Sequence, residues 1–431
     1  MTDPQAIQLN NTIQAESKPV YEMLSKKGKD IFFPKLGILA QSAQAKGKEI
    51  NATIGEAVAD NGKSMYLPEF DTYLKLEPEN IFPYAPSFGK PEIRNLWKSF
   101  IYKKNPSLEG QIMSLPIATN GLTHAISMAA YMFADENDTV LIPDLFWENY
   151  DLIFNKSYGA TIKTFNSFAN NGLDIPSFDA ALQSVTGNKI ILLLNFPNNP
   201  TGYTPTIDEI NAIQKSILAM AEKGKNVIVI IDDAYFGLVY EQGIFTESIF
   251  TKLCNLHTNV LAVKLDGPTK EDYVWGFRVG FLSYGIKNGT PALYECLEAK
   301  TAGAVRGNIS NISNLSQSLL LKVYQSEKYD EYKKEKYAIL KSRYQALKKA
   351  LQENDLGKYY DSLPYNSGYF MCIRVKQGIE GEKVRQLLLE KYSTGVIVFG
   401  DIIRLAYSAV PEAKIEKLVK NLYSACAEIK G

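Results

Sequence analysis

Histidine is nearly absent: His124 and His257 are the only two in 431 residues. Transition-metal centres and Ser-His-Asp hydrolases draw on histidine, so neither is expected. Cysteine is scarce and scattered. Cys254, Cys296, Cys372 and Cys426 form no Cys-x-x-Cys pair, which argues against a zinc site or a disulfide framework and fits a reducing, cytoplasmic setting. Net charge is absent too, with Lys+Arg and Asp+Glu both at 47. Nothing in that balance draws the chain to nucleic acid or to an acidic membrane surface. No apolar run approaches the ~18 residues of a membrane span. The polar N-terminal segment lacks the apolar core of a secretion signal. There is no internal repeat and no low-complexity tract. One phosphate-loop imitation, Asp60-Asn61-Gly62-Lys63-Ser64, fails because the position of its first glycine is held by Ala57.

What is present reads as a soluble globular chain, 45% hydrophobic and 22% charged, long enough for two or three domains. After an N-terminal arm to about residue 30, Phe33 to Lys46 has helical spacing (Leu36, Ile38, Leu39, Ala43). Ile50 to Gly55 reads as a short strand. From Pro91 the chain alternates. Helix 91–103 is followed by a strand at Ile117 that turns at Gly121 into helix 122–133. Then come strand 139–142, helix Trp147–Asn155, strand 160–165, helix 177–184, strand 189–194, helix 207–222, and strands 226–231, 259–265 and 279–283. Near-continuous Ile/Val/Leu strands between helices predict a mostly parallel sheet covered on both faces. Ligands bind such sheets beyond the strands' carboxyl ends. Helices 291–300 and 314–352 follow, the second with a break near Gln325, and then an α+β segment. The expected division is 1–60 as an arm and part of a small domain, 61–324 as a large domain, and 325–431 as a smaller α+β domain.

Four motifs carry chemistry. Lys270 stands in Gly267-Pro268-Thr269-Lys270, with Arg278 eight residues on, inside Gly276-Phe277-Arg278-Val279-Gly280. A lysine past a strand end can form a Schiff base once deprotonated, and arginine is the natural fork for a phosphate. Phe196 to Gly202 packs two prolines and a glycine around Asn199, whose amide can donate to an oxyanion. Asp232 ends a buried strand, where a carboxylate calls for a cationic partner. Arg404 interrupts an apolar strand, where a bound carboxylate would relieve its burial. The turn at Gly121–Leu122 offers free N–H groups and a positive helix end to an anion. Each motif alone also fits a plainer reading: a surface lysine, a tight loop, a turn aspartate, a structural ion pair.

In combination, Asn199-Pro200-Thr201-Gly202, Asp232-x-Ala234-Tyr235, Lys270 with Arg278, and Arg404 resemble the aspartate aminotransferase-like class I/II group. These are pyridoxal 5′-phosphate (PLP) enzymes of fold type I, and the resemblance runs from about Gly55 to Arg404. It implies a seven-stranded, mostly parallel sheet sandwiched by helices, with a smaller α+β domain. It implies that Lys270 holds the cofactor as an internal aldimine and later moves the Cα proton. Asp232 would pair with the pyridinium nitrogen, and Asn199 and Tyr235 with the ring oxygen. Arg278, Thr269 and the N–H groups of Gly121 and Leu122 would hold the phosphate, and Trp147 would stack on the ring. Arg404, with Gly55 and Asn199, would clamp the substrate's α-carboxylate. Tyr84 would reach a neighbouring subunit's phosphate, implying a homodimer with shared sites, and Arg306 would meet a distal carboxylate from across that interface. The implied reaction moves an amino group from an L-amino acid to a 2-oxo acid such as 2-oxoglutarate. A lyase on the same fold, such as a C–S β-lyase, is the alternative. The resemblance departs at Gly267, where the family usually has a phosphate-binding serine.

Overall fold

In the computed structural model, residues 3–33, 37–354 and 356–431 are described. Seven strands form the central sheet: β1 (Ile117–Thr119), β2 (Thr139–Pro143), β3 (Thr161–Phe165), β4 (Lys189–Asn195), β5 (Asn226–Asp232), β6 (Val260–Asp266) and β7 (Gly280–Gly285). Their order is β1-β7-β6-β5-β4-β2-β3. β2 to β6 pair in parallel, and only β7 runs against its neighbours β6 and β1. The Ile/Val/Leu runs of β4, β5 and β6 are buried almost throughout, as strands covered on both faces must be.

The covering helices start where the sequence provides a start. Pro91 opens α1 (Pro91–Lys104) at its first position. Gly121, at φ +76°, turns β1 into α2 (Gly121–Phe133). Thr206 and Glu209 form a reciprocal capping box on α3 (Ile207–Glu222). Next come α4 (Pro291–Ile309) and α5 (Asn314–Tyr324). The expected break near Gln325 separates α5 from α6 (Tyr329–Glu353).

A second sheet is antiparallel, ordered β8 (Tyr360–Ser362), β9 (Phe370–Val375), β11 (Ile402–Ala406), β10 (Ile397–Phe399). It is accompanied by α7 (Gly381–Lys391) and α8 (Glu412–Lys430). Ile50–Asn51 pairs in parallel with Thr394–Gly395, joining the early chain to this C-terminal part. One hydrophobic cluster takes in residues of both sheets.

Several boundaries differ from expectation. The arm holds three helices, Pro4–Glu16, Lys18–Met23 and Lys26–Asp30. The helix expected over Phe33 to Lys46 spans Ile38–Gln44, and Leu36 lies outside the described residues. The strand expected over Ile50 to Gly55 is two residues long, because the chain then bends to line the site. The helix expected at Trp147 begins at Asn149 and is wound as a π-helix over Asp151–Ser157. The helix expected to end at Lys300 runs on to Ile309, so Arg306 is helical. Among the described residues no helix is long and apolar enough to cross a membrane, and no His/Cys/Asp/Glu group could hold a metal.

Candidate active site

Three adjacent strands end in polar residues: Asn195 on β4, Asp232 on β5 and Asp266 on β6. Asn195 and Asp232 are register partners. Beyond this edge opens a cavity of about 680 Å³. Lys270 lies four residues past β6, in a short helix, Pro268–Glu271, opened by Gly267-Pro268. Its Nζ stands 5.2 Å from the centroid of the Tyr235 ring, and its carbonyl accepts from the Tyr369 hydroxyl at 2.7 Å. Burial, aided by the Arg278 charge, pulls the Lys270 ammonium down to about 8 against the opposing pull of Asp232. A lysine so placed is a far better amine nucleophile than a solvated one.

Asp232 is buried, and burial raises its carboxyl. Its Oδ2 accepts from the Tyr150 hydroxyl at 2.6 Å and its Oδ1 from the Ala234 N–H at 3.0 Å. These bonds and Lys270 oppose the rise. A protonated pyridine nitrogen would complete the compensation. Asn195 braces the neighbouring turn: its amide donates to the Asp232 carbonyl at 2.8 Å, and its Oδ1 accepts from the Asn199 N–H at 2.7 Å. Within that turn Gly202, at φ +72°, touches the second sheet so closely that a Cβ would lie 1.9 Å from the Phe370 carbonyl oxygen.

Arg404, on β11, is almost fully buried. It donates to Asn199 Oδ1 at 3.3 Å and to the Thr53 carbonyl at 3.0 Å, and its carbon lies 4.4 Å from the Phe370 ring centroid. The nearby Glu148 charge acts on it without a hydrogen bond, and its Nε has no hydrogen-bond partner. A buried guanidinium in that state calls for an anion.

At the other end of the cavity no side chain caps α2, which leaves its first N–H groups free. Arg278 closes on that helix start: a Cβ on Gly121 would lie 2.4 Å from Arg278 Nη2. The Thr269 hydroxyl is buried without a partner and lines the cavity. Helix terminus, guanidinium and orphaned hydroxyl together make an anion cradle fit for a phosphate. With a buried acid and a depressed lysine lining the same cavity, the residues fit a phosphorylated pyridine aldehyde.

A family model, aminotransferase class I and II, matches residues 52–422. The chain belongs to this aminotransferase family. A solved aminotransferase from Anaerococcus prevotii is 28% identical and superposes with a TM-score of 0.83 over 93% of this chain and 98% of that one. The aspartate aminotransferase of Pyrococcus horikoshii is 26% identical over 81% of this chain and 87% of its own length. A probable N-acetyl-LL-diaminopimelate aminotransferase of Bacillus subtilis is 30% identical, and that match spans 47% of this chain and 48% of the relative, about half of each.

In this aminotransferase chain, Gly55, Leu122, Trp147, Asn199, Asp232, Tyr235, Thr269, Lys270, Arg278 and Arg404 line one cavity, and Gly121 abuts Arg278 at its edge. Tyr84 and Arg306 stand apart from it. Tyr84 is 90% exposed, and Arg306 is exposed on α4. Sequence reasoning missed Tyr150, Asn195, Thr53 and Thr123, all of which line the cavity or touch its groups. A signal for two of them was available: Tyr150 falls three residues after Trp147, and Asn195 ends a strand beside Asp232. Gly267 has its own reason. A Cβ there would lie 2.9 Å from Gly280 Cα and 3.0 Å from Val279 O, so the usual serine has no room.

Proposed function

We propose that this chain is a PLP-dependent aminotransferase that moves the amino group of an L-amino acid, with aspartate and glutamate the first donors to test, to a 2-oxo acid such as 2-oxoglutarate. The observation that carries the reading is the pairing, in one cavity, of a depressed lysine with a buried arginine whose Nε has no partner. PLP, when bound, supplies an electron sink for the charge left at Cα when its proton departs. The chain's own groups do the rest. Lys270 Nζ holds the cofactor and takes the Cα proton, a role worth roughly 10²–10⁴-fold. Arg404, with Asn199 and the Gly55 backbone, orients the α-carboxylate. Asp232, backed by Tyr150, would keep the ring nitrogen protonated, and Tyr235 and Asn199 would bond the ring oxygen. Trp147 would stack on the ring, and Thr269, Arg278, Gly121 and Leu122 would hold the phosphate.

The same reading makes the protein a cytoplasmic homodimer in which Tyr84 and Arg306 serve the neighbouring site, which accounts for their exposure in a single chain. It also divides the chain at 1–60, 61–324 and 325–431, with substrate bound between the larger and smaller parts. The test is the visible absorption of the purified protein with PLP, before and after a panel of L-amino acids, with Lys270→Ala alongside. A band that needs Lys270 and is bleached by aspartate or glutamate supports the reading. A native protein that binds no PLP defeats it, and release of ammonia or thiol without conversion to the pyridoxamine form replaces it with lyase chemistry.

A further inference from the structure

Two acids follow Lys270 directly, Glu271 and Asp272, and both are buried. Each is gripped from distant parts of the chain. Lys104, at the end of α1, donates to Glu271 Oε1 at 2.5 Å. Lys333, near the start of α6, donates to Glu271 Oε2 and lies within ion-pair range of Asp272 Oδ1, both at 3.0 Å. The hydroxyls of Tyr324 and Tyr329 donate to Asp272 Oδ2 and Oδ1 at 2.9 and 2.8 Å. All four carboxylate oxygens therefore have a partner, and two ammoniums balance two carboxylates. Neither Lys104 nor Lys333 lines the active-site cavity. Their ion pairs meet the turn that carries Lys270 at the two residues after it.

The Lys270 turn is a single helical turn, too short to hold its own shape. Its far side is fixed by the Tyr369 hydroxyl on the Lys270 carbonyl and by the Val274 N–H on the Thr269 carbonyl at 3.1 Å. Its near side is fixed by the ion network. The charges that act on the Lys270 amine are Asp232 from the end of β5 and Arg278 from the loop before β7, with the Tyr235 ring beside it, and the balanced cluster of Glu271, Asp272, Lys104 and Lys333 begins at the next residue of the chain.

We propose that Lys333, together with Lys104, is a positioning and charge-balancing residue for Lys270, neutralising the two carboxylates that follow it and locking the turn that presents its amine. The proposal rests on the reading of Lys270 as the cofactor-bearing lysine. It makes a prediction of sign. Lys333→Met leaves one carboxylate charge in excess behind Lys270 and favours the ammonium. An unbalanced unit charge so near in the chain shifts the lysine upward, by on the order of one pH unit. Glu271→Gln leaves a cation in excess and shifts it downward by a similar amount. The double variant restores neutrality and returns Lys270 close to its native value.

The experiment is competitive labelling of the cofactor-free full-length chain with an amine-reactive reagent across pH, read at the Lys270 peptide by mass spectrometry. A pH titration of the visible band of the PLP-loaded protein runs beside it. The expected result is opposite shifts in the two single variants and recovery in the double. A merely structural network would move both the same way or neither, and that result overturns the proposal. Should Lys333→Met fail to fold, Glu271→Gln alone decides, and a value that does not fall overturns it. The labelling arm needs no cofactor. A chain that titrates as expected yet takes no PLP therefore fails the aminotransferase reading and not this one.

Discussion

Tyr150 gives the buried Asp232 a charge-assisted hydrogen bond. Bonds to charged groups contribute about 1.5–3 kcal/mol. Tyr150→Phe is therefore expected to lower kcat about tenfold or more and to weaken PLP binding, checked by steady-state kinetics and a fluorescence titration of the cofactor. Arg404→Lys keeps the charge but loses the fork. It should raise KM for the amino donor by roughly tenfold or more while leaving the visible band intact. The Lys270 amine must be neutral to capture PLP, and burial and Arg278 hold it near 8. Below that value most molecules carry the ammonium. The rate of PLP capture by the cofactor-free protein should thus rise with pH up to about 8 and level off above it, which stopped-flow absorbance will show. At this scale the sequence was most readable where a charged or amide side chain follows a run of Ile, Val and Leu, as at Asp232, Lys270 and Arg404. It was least readable where a residue acts through another. The signals at Tyr150 and Asn195 were only positional, and the role of Asn195 comes from the register that sets β4 beside β5.

Between elements, the spacing of β7 against α2 is set by glycine. Gly267 and Gly280 meet there, and Leu122 lies 3.0 Å from where a Gly267 Cβ would stand. Gly267→Ser is expected to destabilise the protein by about 1–3 kcal/mol through crowding, measured as a lower Tm, rather than to improve phosphate binding as the family's serine would. The strands were legible because each is a near-continuous apolar run bounded by turns, and α3 because a capping box announces it. The π-wound segment Asp151–Ser157 was not: its composition suits an ordinary helix, and its winding goes with a local contact, the Ser157 hydroxyl bonding the Leu152 carbonyl at 2.9 Å. The direction of β7 was also hidden, since apolar periodicity is the same whichever way a strand runs.

For the whole molecule, the reading of Tyr84 and Arg306 predicts a dimer by sedimentation. It also predicts that Tyr84→Ala weakens PLP binding without altering the fold of the single chain, checked by cofactor titration beside circular dichroism. The large open face of Tyr84, with Phe82 nearby at 80% exposure, is the surface such a partner would cover. On that reading these contacts would join two copies, which one chain does not display.

The bond between the Arg404 guanidinium and the Thr53 carbonyl spans 351 residues. The residues of the central sheet and of the anion cradle all precede Arg404 in the chain. On the role proposed for Arg404, substrate affinity would therefore report that this late residue has reached the Thr53 segment.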